Sequence, residues 1–338
     1  MKTYAGIDLH SSNNYIGVID AKDKRLYSKR HHNRIEDVLK ALRKFKASLQ
    51  GVVVESTYNW YWLVDALMDH GYKVHLANPC AIKAYDGLKY TDDKWDSFWL
   101  AHMLRLGILP EGYIYPKQER PVRDLLRRRL MFVRQRTSQI LSLQSMITRN
   151  RGLNFSGSQI KRFRDEFVEK LFSDDHLVFL AKRNLSTIRF LDQIVSEIEI
   201  KVTSQIKLRK EFHSLLTTPG IGNILGLTIM LEVGNINRFA KAGNYSSYCR
   251  CVESKRTSNG KKKGANNQKN GNRYLAWAYI EAANFAMRNC PLAQKFFQRK
   301  MATSDRVLAT KALANKLTKA TYYIIRDQVA FDEDKLFG

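Results

Sequence analysis

Two short apolar runs each stop at an acid, and this pattern constrains the fold more than any other feature of the chain. Tyr4-Ala5-Gly6-Ile7-Asp8 and Gly51-Val52-Val53-Val54-Glu55 both read as buried strands. In an open α/β sheet, ligands gather at the carboxyl ends of strands, where side chains leave the core and face a crevice. Asp8 and Glu55 belong at such a place. Further on, Asp93-Lys94-Trp95-Asp96 opens a helix whose expected inward side is Trp95, Phe98, Trp99, Ala101, His102 and Leu106. Residues three apart share a helix face, so Asp93 and Asp96 point together. Carboxylates gathered this closely repel one another and raise one another's pKa, whereas the hard cation Mg²⁺ prefers oxygen ligands and keeps them ionised. Two such ions about 3.5–4 Å apart clamp the attacking and leaving oxygens of a phosphoryl transfer. Any one of these acids alone is an ordinary strand-end or helix-start residue, since acids are favoured at helix N-termini. As a set, Asp8, Glu55, Asp93 and Asp96 are the expected metal ligands.

The chain has 338 residues, 44% of them hydrophobic, enough for two or three domains and a sizeable core. Its 57 Lys plus Arg against 32 Asp plus Glu give a formal charge of +25, which suits a polyphosphate partner, nucleic acid first. A membrane surface also attracts cations, but no segment approaches the roughly 20 apolar residues of a spanning helix. The longest uncharged apolar stretch, residues 221–231, is too short and is interrupted by Gly222 and Gly226. Cys80, Cys249, Cys251 and Cys290 form no CxxC pair, which fits a reducing compartment and argues against zinc. With no secretory signal ahead of the first strand, the expected location is cytoplasmic.

Residues 1–110 alternate strand and helix. Strands are expected at 4–9, 15–19 and 26–29, then a helix over 35–47, a strand at 51–55, a helix around 60–70, a strand at 73–77 and the Asp93 helix. This β-β-β-α-β-α-β-α order matches an α/β ribonuclease-H-like (RuvC-like) fold, in which metal-binding acids end the first and fourth strands. Pro110, Pro116 and Pro121 mark a break before a helical region, residues 117–206. There Leu126, Leu130, Val133, Ile140 and Ile147 fall on a four-three spacing, interrupted by Thr137 and Gln144, that reads as a long helix with coiled-coil character. Arg127, Arg128, Arg129, Arg134, Arg136, Arg149 and Arg151 decorate it, and acids at helical spacing to pair with them are almost absent from 125–151. That shortage favours a nucleic-acid-facing helix over a merely solvated one, with Arg127, Arg128 and Arg134 as expected contacts. A second helix, 185–206, carries Ile188, Leu191, Ile194, Ile198 and Val202 and can return against the first.

Residues 207–338 read as mainly α. Thr217-Thr218-Pro219-Gly220-Ile221-Gly222 joins two apolar segments like a helix-hairpin-helix element, whose backbone N–H groups at Gly220 and Gly222 can meet a phosphate. A plain turn between core helices is the other reading. Residues 254–273 hold Lys255, Arg256, Lys261, Lys262, Lys263, Lys269 and Arg273 among Gly and Asn with no acid, as expected of a flexible polycationic loop that contacts nucleic acid.

Together these residues resemble one family, the insertion-sequence transposases with a DEDD, RuvC-like N-terminal domain and a serine-bearing C-terminal transposase domain, guided by a bridge RNA. The resemblance rests on Gly6-Ile7-Asp8, on Glu55 before an aromatic-rich helix, and on Thr91-Asp92-Asp93-Lys94-Trp95-Asp96-Ser97. It continues in Pro219-Gly220-Ile221-Gly222, Glu232-Val233-Gly234, Arg238-Phe239, Ser258-Asn259-Gly260-Lys261 and Lys269-Asn270-Gly271-Asn272-Arg273-Tyr274-Leu275. Ser97 stands where the family usually has Ala. The resemblance implies that Asp93 rather than Asp92 is the third acid, because the family's last two acids are three apart. It implies that Ser258 is the nucleophile, with Thr257 and Ser254 close by, and that the serine is joined transiently to a 5′-phosphate of DNA. It implies Mg²⁺, or Mn²⁺ in its place, as the cofactor. The implied partners are element-end and target DNA, a structured guide RNA and further copies of the chain, in a dimer or tetramer. On residue types alone, Ser before Asn-Gly is ordinary turn composition. Other readings stay open: a RuvC-like metal-dependent junction nuclease with Ser258 idle, a non-catalytic RNA- or DNA-binding protein, and a membrane-surface protein.

Overall fold

The computed structural model describes residues 1–82, 92–205, 210–254, 256–264 and 270–338. Thr91, Lys255 and Lys269 lie outside the described residues, as does the Lys262 side chain. The chain forms two compact units, Met1–Lys117 and Gln118–Gly338.

In the first unit β1 (Thr3–Leu9) pairs antiparallel with β2 (Asn13–Asp20), and β2 pairs antiparallel with β3 (Arg25–His32). Helix α1 (Ile35–Arg43) leads to β4 (Leu49–Glu55), which lies parallel to β1; α2 (Tyr61–Asp69) leads to β5 (Val74–Ala77), parallel to β4. The sheet order is β3-β2-β1-β4-β5, a mixed sheet that fits the ribonuclease-H-like arrangement. Because β1 and β4 are parallel neighbours with Ile7 opposite Val54, the next residues on each strand, Asp8 and Glu55, leave the sheet side by side. Side chains alternate faces along a strand. Ala5, Ile7, Leu9, Val52 and Val54 pack with Val38, Leu42, Leu63 and Leu67 of α1 and α2, while Val53 packs with Leu100 and Met103 of α3 (Asp93–Leu106). Asp8 and Glu55 therefore share the face that α3 covers.

A pair of glycines brings α3 down onto that face. Gly6 and Gly17 sit opposite each other on β1 and β2. A Cβ on Gly6 would fall 2.0 Å from the Ser97 carbonyl oxygen, and one on Gly17 would fall 2.7 Å from Ser97 Oγ. Ser97 is fully buried, and its hydroxyl donates to the Lys94 carbonyl at 2.9 Å, so this side chain adds no unpaired polar atom. The far end of α3 is tied down by Arg105, which donates two hydrogen bonds to Asp23 at 2.7 and 2.5 Å. This seat turns α3 from the orientation that hydrophobicity suggests. Its buried face is Ser97, Phe98, Leu100, Ala101 and Met103; Leu106, expected inside, is exposed, and Trp95, Trp99 and His102 form a half-buried stacked column. The helix expected over 35–47 stops at Arg43.

In the second unit α4 (Arg120–Arg151) is followed by the short α5 (Gly157–Ile160) and α6 (Asp165–Leu171), then by α7 (Asp175–Gln205). The return helix thus begins at Asp175, ahead of the expected 185. It runs antiparallel to α4, as the ion pairs Arg129–Glu199 and Arg136–Asp192 require. At the tip of this hairpin Ile140, Leu143, Met146 and Ile147 pack with Ala181, Leu185 and Ile188, whereas at its base Leu126 and Val202 join the larger core. That core comprises α8 (Lys210–Leu216), α9 (Asn223–Val233), α10 (Ala242–Tyr248), α11 (Arg273–Asn289), α12 (Pro291–Met301), α13 (Arg306–Asp327) and α14 (Glu333–Phe337). The apolar stretch around 221–231 is its centre, since every residue from Leu225 to Val233 on α9 is buried. Strands β6 (Arg256–Ser258) and β7 (Lys261–Gly264) form a separate two-stranded ribbon. Among the described residues no helix is long and apolar enough to cross a membrane.

Because the Gly6 Cβ position is occupied by backbone, which cannot rotate away, Gly6→Ala should destabilise the first unit by about 3 kcal/mol. Gly243→Ala, in a helix with open space around it, should change stability by less than about 1 kcal/mol. Denaturant unfolding of the two variants checks this contrast.

Candidate functional site

The end of β1 is where the acids meet. Asp8 is buried; its Oδ2 has no aligned hydrogen bond and lies 3.1 Å from His10 Nε2. The same nitrogen lies 3.2 Å from Asp93 Oδ1, and Arg30 Nη2 donates to the other oxygen, Asp93 Oδ2, at 2.6 Å. Donor atoms of Asp8, His10 and Asp93 all fall within 4.8 Å of one another, a group able to hold a metal ion. Glu55 is hydrogen-bonded to Asp8 and feels the charge of Asp96, and Asp96 feels those of Asp8 and Asp93. The fold therefore brings all four expected acids within electrostatic range, and of the four Asp8 and Asp93 fall in the group whose donor atoms lie within 4.8 Å of one another. Asp92, the alternative to Asp93, is turned to the helix end: its Oδ1 accepts from the Trp95 N–H at 2.6 Å, capping α3.

This proximity has an electrostatic cost that the pKa values report. Burial raises Glu55 to about 8, helped by its hydrogen bond to Asp8 and by the charges of Asp8 and Asp96. Asp96 is raised to about 6, by burial first and then by Asp8, Asp93 and Asp92. Burial also raises Asp8, although the hydrogen bond from Glu55 and the nearby His10 oppose it. An oxygen-rich cluster with a buried carboxylate oxygen that has no aligned hydrogen bond, and with pKa values raised by burial first and by neighbouring acids second, suits a divalent cation, which offsets both.

Sequence reasoning missed His10, Arg30 and the residues that hold His10 in place. The His10 carbonyl accepts from Asn33 Nδ2 at 2.9 Å and from Asn59 Nδ2 at 3.0 Å, and its N–H donates to the Asn13 carbonyl at 2.9 Å. The available signal was the position of His10 two residues after Asp8; Arg30, Asn33 and Asn59 carried none.

In the second unit Ser258 ends β6, directly before a turn in which Asn259 and Gly260 both have positive φ, 48° and 70°. A two-residue Asn-Gly turn of this kind closes a tight hairpin. The segment expected as a flexible loop is thus partly a β-ribbon. Ser258 lies opposite Lys261, and Thr257 lies opposite Lys262, so Ser258 and Thr257 face opposite sides of the ribbon. Ser258, Arg256, Lys261 and Lys263 are exposed. Arg250 closes the base of the excursion, donating to the Asn270 carbonyl at 3.1 Å and the Gly271 carbonyl at 2.9 Å, while the Asn272 N–H donates to the Tyr248 carbonyl at 2.6 Å.

Two expected contacts, Arg127 and Gly220, turn inward. The missing counter-charges of α4 come from other helices: Arg127 donates to Glu232 at 2.5 and 2.8 Å, Arg129 pairs with Glu199 and Arg136 with Asp192. Arg128 and Arg134 remain exposed, as does Arg273, which leads α11. Glu232 is buried and also accepts from Arg123 at 3.1 Å and Asn272 at 2.7 Å. Burial pushes its pKa up, but Arg127, Arg123 and Asn272 outweigh that and hold it below the usual range. Asn272 in turn caps α11, its Oδ1 accepting from the Tyr274 and Leu275 N–H groups. Gly220, with φ +83°, packs against α11, where a Cβ would fall 2.1 Å from the Ala282 carbonyl oxygen; Gly222 is open at the start of α9. The inward packing of Gly220 has the geometry of a turn between core helices.

An acid cluster on a mixed sheet, joined to a helical unit that presents an exposed basic ribbon, fits an enzyme acting on nucleic acid. Residues 5–150 match the DEDD-type family of IS110 kind described as Transposase, and residues 213–298 match the family described as Transposase IS116/IS110/IS902. Comparison with curated proteins gives no match. The protein is a DNA transposase/recombinase, and its domains are those of the IS110-family insertion-sequence transposases.

Two outcomes follow from the electrostatics. A carboxyl whose folded pKa exceeds its unfolded value binds more protons folded than unfolded, so its contribution is present at low pH and is lost as pH rises through the folded pKa. For Glu55 the window runs from 4.5 to about 8. The metal-free protein should lose apparent melting temperature across that window, and Glu55→Gln should flatten the loss. In the second unit, Glu232→Gln should destabilise by about 3 kcal/mol in denaturant unfolding, because it leaves the Arg123 and Arg127 charges beside an uncharged group.

Proposed function

We propose that this transposase cuts and rejoins DNA through a covalent serine intermediate, with Asp8, Glu55, Asp93 and Asp96 binding the divalent cations the chemistry needs. The observation that carries the reading is the convergence of these four acids where β1, β4 and α3 come together. A divalent cation, Mg²⁺ or Mn²⁺, held there supplies Lewis-acid neutralisation of the attacked phosphate. Asp8 and Glu55, on neighbouring strand ends, are the fixed half of the ligand set; Asp93 and Asp96, one helical turn apart, are the half that α3 delivers.

Ser258 is the proposed nucleophile. Its Oγ forms a bond to phosphorus as the bond from phosphorus to the 3′ oxygen breaks; the serine gives up its proton and the departing 3′ oxygen takes one up. The product is a 5′-phosphoserine link and a free 3′-hydroxyl, which reverses the step on a new strand. Exposure at a hairpin tip gives Ser258 access to a backbone phosphate, and Lys261 opposite it offsets the charge that develops there. Arg256, Lys261, Lys262, Lys263, Arg273, Arg128 and Arg134, with Lys255 and Lys269, are proposed to hold nucleic-acid backbones. Gly222 at the start of α9 remains a proposed phosphate contact.

A structured guide RNA that pairs with the DNA leaves site choice to base pairing and backbone contacts to the protein, which suits a charge of +25. Joining four DNA ends calls for more than one copy of the chain, and a dimer or tetramer in the cytoplasm is proposed. The exposed apolar residues Phe179, Leu180, Phe190 and Ile200 on α7 are consistent with such an assembly. Ser258 within an ordinary Ser-Asn-Gly turn favours one second reading, a metal-dependent nuclease in which water replaces the serine.

Trapping the protein–DNA adduct tests the reading. Wild type with Mg²⁺ should form a covalent adduct that survives denaturing gel electrophoresis, and Ser258→Ala should form none while still binding DNA. Asp8→Ala and Glu55→Ala should abolish cutting with binding retained. An adduct in Ser258→Ala contradicts the serine assignment, and full cutting without an adduct supports the nuclease.

A further inference from the structure

His10 stands apart from the four acids in chemistry, in placement and in how firmly it is held. Its Nε2 is the only nitrogen in the Asp8, His10, Asp93 group, at 3.1 Å from Asp8 Oδ2 and 3.2 Å from Asp93 Oδ1. Those separations suit neighbouring ligand atoms on a single ion. Asp8 Oδ2 is a buried carboxylate oxygen with no aligned hydrogen bond, aimed at this point. Arg30 occupies the opposite oxygen of Asp93, leaving Oδ1 directed toward His10. Asn33 and Asn59, from two different loops, both bond the His10 carbonyl and fix its backbone beside the acids. These bonds hold the main chain of His10, so its imidazole reaches the two acids from a fixed point on the loop.

We infer that His10 Nε2 is a direct ligand of one divalent ion together with Asp8 and Asp93, and that it makes this site select Mn²⁺ over Mg²⁺. The inference rests on the proposed metal-binding role of the acids and adds the donor that sets the ion. Mg²⁺ is a hard cation taken up by carboxylates and water and parts reluctantly with its hydration shell. Imidazole favours first-row transition ions over Mg²⁺, while carboxylates suit Mg²⁺, Ca²⁺ and Mn²⁺; among the ions carboxylates suit, Mn²⁺ is the one that also gains from an imidazole. With imidazole replaced by a methyl group, the remaining acids form an all-oxygen site that Mg²⁺ fills as well as Mn²⁺ does.

The test uses metal-free full-length protein titrated with Mn²⁺ and followed by electron paramagnetic resonance, with Mg²⁺ as competitor. Wild type should bind Mn²⁺ at least about tenfold tighter than Mg²⁺ and show nitrogen coupling from a coordinated imidazole in pulsed spectra. His10→Ala should lose the nitrogen coupling and about tenfold in Mn²⁺ affinity, while its Mg²⁺ affinity changes by less than about threefold. A wild-type Mn²⁺ complex without nitrogen coupling overturns the inference while leaving the acids as ligands, and it does so even if His10→Ala does not fold. Unchanged Mn²⁺ affinity in a folded His10→Ala overturns it as well. Failure of wild type to bind either ion removes both this inference and the metal-binding role of the acids.

Discussion

The close seat of α3 on the sheet is the contact on which the candidate site depends. Gly6 and Gly17, opposite each other on β1 and β2, leave no side chain between sheet and helix, and Ser97 fills the space they open. The parallel pairing of β1 and β4 brings Asp8 and Glu55 out side by side on that face. With α3 seated this close, Asp93 and Asp96, on its first turn, lie within electrostatic range of them. Two side-chain deletions thus bring three separate segments of the chain to one point.

The two units handle buried charge in opposite ways. In the first, carboxylates are gathered with too few cations, so Glu55 and Asp96 retain protons well above their ordinary range. In the second, Glu232 is more deeply buried but surrounded by Arg123, Arg127 and Asn272, which hold its pKa below the usual range. A fully compensated buried acid ties helices α4, α9 and α11 together; an undercompensated cluster stores a cost that a bound cation would relieve. The same criterion sorts the arginines. Arg127, Arg129 and Arg136 are consumed by acids from neighbouring helices, while Arg128 and Arg134 face outward.

Much of the first unit was legible because its signals are local. Apolar runs ending in Asp8 and Glu55 marked the strands and the edge on which the acids emerge, and the Asp93–Asp96 spacing marked the start of α3. The orientation of α3 was not legible, because a face built on Ser97 and Ala101 is decided by what the opposing strands lack, which no hydrophobic pattern on the helix records. His10 and Arg30 escaped notice for a related reason: their importance comes from a strand partner and a helix distant in sequence. On α4 the shortage of acids at helical spacing did not leave Arg127, Arg129 and Arg136 without partners, because Glu232, Glu199 and Asp192 arrive from other helices. The Asn259-Gly260 turn was visible in sequence, but its closure into a β-ribbon depends on the register of Arg256, Thr257 and Ser258 with residues 261–264.

The central claim is that the carboxylate cluster is a cation site kept partly protonated by burial and, after it, by the neighbouring acids. Proton release on Mg²⁺ binding measures this most directly, by titration calorimetry of the metal-free protein at pH 7 in buffers of different ionisation enthalpy. With Glu55 raised to about 8, binding should expel about one proton per Glu55 carboxyl that becomes a ligand. Binding without proton release, or no binding at all, would contradict the account.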